Sequence, residues 1–199
     1  KRIQDLVIGA VALVVAAPIM ALVALAVKLD SPGPVFFRQR RHGFNHETIV
    51  VWKFRSMRQE TADATASRQV TAGDDRVTRV GRFIRATSLD ELPQIFNVLS
   101  GEMSLVGPRP LLMAYLERYS PEQARRHEVK PGLTGLAQVS GRNAISWESK
   151  FRHDVEYVDN HSLLLDLKII VRTLVQVVRR DGVSAEGEAM MPEFRGDEH

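Results

Sequence analysis

The sequence contains no cysteine among its 199 residues, which excludes disulfide frameworks, cysteine-based zinc sites and cysteine nucleophiles. Glycine and proline, with 13 and 9 residues, are near average usage, and 44% of the residues are hydrophobic. Neither a collagen-like nor a largely disordered chain is therefore expected. The G-x-x-x-x-G-K-[ST] and G-x-G-x-x-G patterns of phosphate-binding and dinucleotide-binding folds are also missing. What remains is a chain long enough for one domain.

Charge is absent from one long apolar run, the 22 residues 6–27, which lie between Asp5 and Lys28. As a helix this run would extend about 33 Å, enough to cross a hydrocarbon core of about 30 Å. No polar stripe interrupts it at helical spacing, as a soluble core helix would require. Its length and the poor cleavage site after it argue against a secretory signal. We therefore expect a membrane helix.

Basic residues stand on both sides of this run, with Lys1 and Arg2 before it and Lys28 after it, so charge does not favour one orientation. Pro18 lies inside the run, removes a backbone N–H and predicts a kink or break. A re-entrant hairpin whose two ends return to the cytoplasmic side fits both observations. A proline-kinked spanning helix fits them equally well, because membranes tolerate such kinks.

Positive charge is concentrated near the apolar run. Up to Arg58 the chain has nine Lys and Arg residues against three Asp and Glu residues, a net charge of +6, whereas the whole chain has +3. Attraction to anionic lipid can contribute about 1 kcal/mol of binding free energy for each of these cations, so we expect an anionic membrane surface as their partner. No nucleic acid is expected, because no recognised binding motif or aromatic interleaving is present.

The remaining patterns predict a mostly α-helical fold with a small β-hairpin. Residues 35–37 and 48–52 are β-branched and aromatic, and they flank a turn-like segment. Residues 120–123 carry the signature of a capping box at a helix start. The segment 163–180 is apolar on a broad face and is either a core helix or an interfacial amphipathic helix. The polar segment 58–75 is expected to be a loop or a weak helix.

Two adjacent carboxylates, Asp90 and Glu91, follow Arg82 and Arg85 and precede Arg109, which stands between two prolines. This arrangement suits phosphoryl chemistry. One carboxylate can attack phosphorus or hold a divalent cation, while the guanidinium groups neutralise the oxygens of the transferred group. The rigid backbone around Arg109 favours a bidentate phosphate contact.

A structural interpretation competes with this one. Ser88 and Glu91 have the spacing of a capping box, which on spacing alone is the favoured interpretation and would make Asp90 a first-turn acid. Pro93 speaks against it, because a proline that far into a helix costs a hydrogen bond unless the helix starts later.

Other polar residues give weaker signals. The glycine-containing segments 131–135 and 140–143 are expected to supply flexible backbone, and Arg142 and Asn143 suit phosphate or base contacts as well as plain loops. Asp154 and Asp166 lie in amphipathic segments, where most acids are solvated.

The histidine spacing does not indicate a metal site. His42 and His46 are four residues apart, but Gly43 and Asn45 between them argue against a metal-binding helix. Both histidines are expected to be solvated loop residues.

The chain carries, in order, VFFRQRRHG, VWKFRSM, SLDELPQIFNVLSGEMSLVGPRP, PGLTGLAQVSGRN and LDLKII. Together these motifs resemble the bacterial sugar transferases known as monotopic phosphoglycosyl transferases, from Lys1 to about Gly187. The resemblance implies transfer of a sugar 1-phosphate from a UDP-sugar to undecaprenyl phosphate, with release of UMP, at the cytoplasmic face of the bacterial inner membrane. This would be the first membrane step of glycoconjugate assembly.

The resemblance also implies a domain plan for a small, core-only member of the family. Residues 1–30 would form a re-entrant membrane helix broken at Pro18, residues 31–187 a cytoplasmic catalytic domain with interfacial helices, and residues 188–199 a loosely ordered tail. Many members have serine before this proline, where this chain has Ala17.

Roles carried over by the resemblance make Asp90 the nucleophile that forms an aspartyl phosphosugar. Glu91 becomes the Mg²⁺ ligand and a candidate base. A ping-pong route is also favoured by chemistry, because two similar phosphate acceptors are used in turn. The positions assigned to substrate binding are Lys53, Arg85, Arg109, Arg142, Asn143, Asp154 and Asp166.

The ending GVSAEG, with Phe194 and Gly196 beyond it, resembles members that use N-acetylated sugars such as diacetylbacillosamine. Two alternative functions stay open. A metal-dependent glycosyltransferase would release UDP, although only Asp74-Asp75 approaches its D-x-D motif. A non-enzymatic membrane scaffold would release no nucleotide. A homodimer is compatible with the sequence.

Overall fold

The computed structural model describes residues 1–58, 74–141, 145–179 and 193–196. It is mostly α-helical with one β-hairpin, as the sequence predicts. The helices are α1 Arg2–Asp30, α2 Arg79–Ala86, α3 Gln94–Ser100, α4 Pro121–Ala124, α5 Leu136–Val139, α6 Trp147–Asn160 and α7 Leu163–Arg179. The strands are β1 Phe36–His42, β2 Thr48–Phe54, β3 Ser104–Val106 and β4 Gly132–Thr134. Most of the predicted 58–75 loop and the GVSAEG ending lie outside the described residues.

Helix α1 is long and apolar enough to cross a membrane, with a mean hydropathy of 2.8 over its most apolar 18 residues. Only 17% of that window is buried, so α1 is not the core helix of a soluble domain. The helix continues from Arg2 to Asp30 with Pro18 inside it, and the predicted break at Pro18 is therefore not confirmed.

One face of α1 packs along the globular part of the chain. Its buried positions recur at helical spacing and include Gly9, Met20 and Val27. At Gly9 the packing is close, because an added Cβ would lie 3.2 Å from the Leu99 side chain. Farther along, α1 joins a core cluster with Phe54 and residues of α2 and α3. The opposite face is exposed and strongly apolar.

Both ends of α1 are hydrogen-bonded to the globular part. Near the start, the Asp5 carboxylate accepts bonds from the Ser104 hydroxyl at 2.9 Å and from the Leu105 backbone N–H at 3.0 Å. At the other end, the Arg55 guanidinium donates to the carbonyl oxygen of Ser31 at 2.7 Å. The Val80 backbone N–H donates to Asp30 at 3.0 Å. The two ends of the apolar helix are therefore fixed to the same body.

The predicted hairpin is confirmed as the antiparallel pair β1 and β2, whose register runs from Phe36 opposite Phe54 to His42 opposite Thr48. Its inner face packs on α3 through Asn97. The Asn97 side chain donates to the Val50 carbonyl at 2.7 Å and accepts from the Trp52 backbone N–H at 3.1 Å. The hairpin is thus locked to the helix that follows the carboxylate pair.

The predicted solvation of the histidines is confirmed for His46 and wrong for His42. Strand β1 extends as far as His42, whose Nε2 lies 3.3 Å from the Met113 carbonyl oxygen. His127 covers it from another side and makes its own contact, at 3.2 Å, with the Gly43 carbonyl oxygen. Burial lowers the pKa of His127 to about 3, with a further contribution from Arg126, so this histidine is neutral at physiological pH.

The segment 131–135, read from the sequence as flexible backbone, contains strand β4. This strand pairs in parallel with β3, with Ser104 opposite Gly132 and Val106 opposite Thr134. The two backbones approach so closely that a Cβ on Gly107 would meet the Lys130 carbonyl oxygen at 2.3 Å. The partner that makes this segment a strand is remote in sequence, which explains the wrong prediction.

Helices at the carboxyl end agree with the sequence patterns. The capping box of α4 is present, with the Ser120 hydroxyl bonded to the Gln123 backbone N–H. Helix α7 buries Ile169 but leaves a broad apolar face exposed, so it is not a buried core helix. The exposed apolar residues of α7 are Leu163, Leu164, Leu167, Val171, Leu174, Val175 and Val177.

Candidate active site

The carboxylate pair lies on a short turn between α2 and α3. Ser88 has a left-handed backbone with φ 56°, which is uncommon for a non-glycine residue, and its side chain makes no cap. A single 3₁₀ turn, Leu89–Glu91, follows, and α3 begins only after Pro93. The capping-box interpretation of Ser88 is therefore wrong. The turn places Asp90 and Glu91 beside the hairpin instead of in the first turn of a helix.

Glu91 is held between two cations. The Lys53 ammonium, carried by β2, donates to Glu91 Oε1 at 2.7 Å. The Arg109 guanidinium binds the same carboxylate with both Nη atoms, and the Nη1–Oε2 distance is 2.9 Å. Burial by itself would raise the pKa of Glu91, but the charges of Arg109 and Lys53 outweigh it and hold that pKa well below its usual range. Glu91 is therefore ionised and fixed in orientation.

Asp90 differs sharply from its neighbour. No group in the described part of the chain donates a hydrogen bond to its carboxylate. Burial raises the pKa of Asp90 to about 6, and the charge of Glu91 adds to this effect, while Lys53, Arg85 and Arg109 oppose it. Two adjacent carboxylates thus have opposite pKa shifts, an arrangement that separates the roles of acid–base groups in active sites. Asp90 is therefore the more basic of the two carboxylates.

The predicted site residues do not all gather at this turn. Lys53 and Arg109 contact Glu91, and Arg85 lies near enough to act electrostatically on Asp90. The sequence motif predicted a bidentate contact of Arg109 with phosphate, and the guanidinium makes that kind of contact with Glu91. Roles of these residues toward a substrate stay predictions.

Two of the predicted substrate ligands are buried elsewhere and are engaged within the chain. Asp154 pairs with Arg126 at 2.8 Å. Asp166 accepts a bond from the Tyr157 hydroxyl at 2.6 Å and pairs with the Lys1 ammonium at 2.7 Å. Neither has a direct contact with the Asp90–Glu91 turn. Arg142 and Asn143 lie outside the described residues.

Sequence reasoning missed Arg41, which it counted only as part of the basic flank. The pKa of Arg41 is lowered to about 10, first by burial and then by the charge of Arg109, against an opposing effect of Glu91. A second guanidinium, that of Arg41, therefore lies near the Glu91–Arg109 pair. In the hairpin register Arg41 lies opposite the buried Ile49, so the two side chains are on the same face of the hairpin. This register is the signal that could have identified Arg41 as a partly buried residue.

The chain is similar to known proteins along nearly its whole length. Residues 1–180 match the bacterial sugar transferase family. An uncharacterised sugar transferase of Bacillus subtilis (strain 168), EpsL, is 46% identical over 196 residues, which are 98% of this chain and 96% of that protein.

Two further relatives carry a more specific name, UDP-glucose:undecaprenyl-phosphate glucose-1-phosphate transferase. The protein of Xanthomonas campestris pv. campestris is 46% identical over 89% of this chain, and the protein of Caulobacter vibrioides is 45% identical over 91%. The matched regions are 38% and 70% of those two proteins, so the chain spans about two fifths of the Xanthomonas relative. A match over nine tenths of the chain, together with the family match, leaves one conclusion: the chain belongs to the bacterial sugar transferase family.

Proposed function

We propose that this protein transfers a sugar 1-phosphate from a UDP-sugar to undecaprenyl phosphate and releases UMP. The observation that carries the proposal is the free, weakly acidic Asp90 carboxylate beside a Glu91 that Lys53 and Arg109 hold in place. UDP-glucose is the first donor to test, because it stands in the names of the relatives. The N-acetylated donor predicted from the GVSAEG ending is the second.

The reaction proceeds in two displacements. A carboxylate oxygen of Asp90 attacks the β-phosphorus of the UDP-sugar, the bond from this phosphorus to the bridging oxygen breaks, and UMP leaves with the electron pair. An oxygen of undecaprenyl phosphate then attacks the phosphorus of the aspartyl phosphosugar and releases the Asp90 carboxylate. Lys53, Arg85 and Arg109 neutralise the phosphate oxygens in both steps.

Mg²⁺ belongs to the proposal. This ion is usually held by one or two carboxylates together with phosphate oxygens of the substrate. The Glu91 carboxylate fits that donor set, whereas the described residues contain no group of three or more acidic or histidine side chains that could hold a metal alone. Bound Mg²⁺ would add positive charge against the diphosphate.

One assay separates the proposal from its alternatives. Detergent-solubilised protein is incubated with Mg²⁺, undecaprenyl phosphate and either UDP-glucose or UDP-diacetylbacillosamine, and the released nucleotide is identified. We expect UMP. Release of UDP would support a glycosyltransferase, and the absence of nucleotide with every donor would support a scaffold. In the pair Asp74-Asp75, which comes nearest to the D-x-D motif of such a glycosyltransferase, Asp74 is ion-paired with Arg76.

The pH dependence of UMP release should report the ionisation of Asp90. The group must be ionised to attack phosphorus, and its pKa is raised to about 6. We expect kcat/KM for the UDP-sugar to be flat above this pH and to fall about tenfold per pH unit below it. Initial rates between pH 5 and 8 at low donor concentration measure the profile, and rates that stay flat down to pH 5 would contradict the shift.

A monotopic arrangement accounts for the exposed apolar surfaces. Both ends of α1 are bonded to the same globular body, so they lie on one side of the membrane if that body does. The exposed faces of α1 and α7 would contact lipid, and the basic residues beside α1 would contact anionic headgroups. We place the globular part at the cytoplasmic face of the bacterial inner membrane, because UDP-sugars are made in the cytoplasm.

Cysteine labelling tests this topology, because the sequence has no other cysteine. The variants Ile3→Cys and Pro34→Cys place thiols at exposed positions near the two ends of α1, and Glu122→Cys reports the side of the globular part. In sealed vesicles, we expect a membrane-impermeant maleimide to label all three from the same face. Labelling of Ile3→Cys and Pro34→Cys from opposite faces would show a spanning helix.

A further inference from the structure

A buried ion pair that has no role in the proposed reaction lies behind Arg109. Arg126 and Asp154 are 3% and 4% exposed. The Arg126 guanidinium binds Asp154 Oδ2 through Nε at 3.0 Å and Nη2 at 2.8 Å. The same Nη2 also donates to the backbone carbonyl oxygen of Arg109 at 2.8 Å. The ion pair is therefore hydrogen-bonded to the backbone of Arg109, the residue that binds Glu91.

Stability alone is a weak reason for such a pair. Taking two charges out of water costs several kcal/mol per ion, and well-packed apolar replacements are often as stable. Here the ion pair fixes the orientation of the Arg126 guanidinium. Nη1 of Arg126 bonds to the Tyr119 hydroxyl at 3.2 Å, and the guanidinium lies 5.6 Å from the ring centres of Tyr119 and Phe151. With Asp154 on its other edge, the planar group has one orientation, and it points an N–H at Arg109.

The backbone around Arg109 has little other freedom. Pro108 and Pro110 fix their own φ angles on either side. The Pro108 carbonyl accepts a bond from the Gly132 backbone N–H at 2.9 Å, and the Gly107 N–H donates to Thr134 at 2.9 Å. The next carbonyl along the chain is that of Arg109, and it accepts a hydrogen bond from Arg126. Arg126 therefore completes the attachment of this segment to the core.

We propose that Arg126, oriented by Asp154, is a positioning residue that sets the Arg109 guanidinium against Glu91. It acts through the Arg109 backbone and does not touch the reacting groups. The inference rests on the proposed function, in which Arg109 neutralises phosphate charge and holds Glu91 beside Asp90. A displacement of about 1 Å in such a group can cost on the order of 10²-fold in rate.

The test is a double-mutant cycle between this ion pair and Arg109. The combined change Arg126→Met and Asp154→Leu removes both charges together, so that no charge is left buried without a partner. In the otherwise unchanged chain we expect kcat for UMP release to fall on the order of 10²-fold. In an Arg109→Ala background the same change should cost less than about threefold, because the group that it positions is gone.

A second readout separates positioning from general destabilisation. The ¹⁵N resonances of the Arg109 guanidinium, identified by their loss in Arg109→Ala, report its bidentate contact with Glu91, so they should shift in the doubly apolar variant if Arg109 is displaced. Arg125→Gln is the matched control, because this neighbouring arginine pairs with Glu122 and Asp159 at the surface, and its rate and Arg109 resonances should not change. Arg126→Lys keeps the charge and should recover part of the rate.

Each outcome of these measurements supports or overturns the positioning role of Arg126. An equal loss of rate in both backgrounds, or unchanged Arg109 resonances in the doubly apolar variant, overturns the positioning role. If the doubly apolar variant does not fold, as judged by its melting curve, the cycle is run with Arg126→Lys, and additivity there overturns it equally. A wild-type protein without UMP release would contradict the proposed function instead. The Arg109 guanidinium resonances, compared between wild type and variant, would then test the positioning alone.

Discussion

Asp90→Asn should lower UMP release on the order of 10⁴-fold or more, the largest effect expected of any single change in this protein. An amide oxygen is a poor nucleophile and cannot yield the acyl phosphate through which the proposed reaction passes. The variant has nearly the same shape as the wild type, and no hydrogen bond to Asp90 from a described residue is lost. The whole effect should therefore fall on the chemical step.

The fold should tolerate this change and gain stability at neutral pH. The pKa of Asp90 is raised to about 6 in the folded chain, so the folded state binds more protons than the unfolded state between the ordinary value of 3.8 and pH 6. Above pH 6 the ionised group costs stability, and the neutral amide removes that cost. We expect a gain of at most about 3 kcal/mol in the free energy of unfolding at pH 8, which becomes smaller as the pH falls through 6.

Two measurements check the prediction. Labelled UDP-glucose should produce a covalent sugar-phosphate adduct on the wild type, located on Asp90 by mass spectrometry, and no adduct on Asp90→Asn. Melting curves at pH 8 and pH 5 give the stability difference. Asp75→Asn is the control, because Asp75 is an exposed carboxylate outside the site. An adduct on the Asp90→Asn protein would refute the nucleophile assignment.

Glu91→Gln should have the second largest effect, a loss on the order of 10²–10³-fold in UMP release, comparable to removal of a preorganised electrostatic group. Glu91 fixes the Arg109 guanidinium and the Lys53 ammonium through charge-assisted hydrogen bonds. A neutral amide holds both cations weakly, so their positions toward phosphate become less defined.

The same variant should move the acid limb of the pH profile. The charge of Glu91 raises the pKa of Asp90, and Lys53, Arg85 and Arg109 lower it. Removal of the negative charge leaves the cations unopposed, so the pKa of Asp90 should fall below about 6 and the acid limb should move to lower pH. A profile of the residual activity measures this shift. Glu117→Gln, at an exposed position, should change neither rate nor profile, and a shift to higher pH for Glu91→Gln would contradict the assignment.

The candidate site was visible in the sequence. Adjacent acids at Asp90 and Glu91 with arginines on both sides indicated phosphoryl transfer, and the structure brings Lys53 and Arg109 to Glu91. The local geometry was not predictable from spacing. Ser88 has the residue type of a helix cap, yet its left-handed backbone makes a turn, because Pro93 delays the next helix. Two local rules conflicted, and the packing of the turn against β2 decided between them.

By itself, the sequence determined the features that depend on neighbours along the chain. These are the apolar helix α1, the hairpin of β1 and β2, the capped start of α4 and the amphipathic α7, all of which follow from residue periodicity and short-range hydrogen bonds.

Only the tertiary structure decided which polar groups become partners. Arg126 and Asp154 meet across 28 positions, Asp5 and Ser104 across 99, and Lys1 and Asp166 across 165. Nothing in the spacing of such residues specifies a partner, because their side chains meet only after the apolar faces have packed and the buried charges must be satisfied. The family resemblance assigned Asp154 to substrate binding, and that role stays a prediction, while the fold shows that its carboxylate pairs with Arg126 behind Arg109.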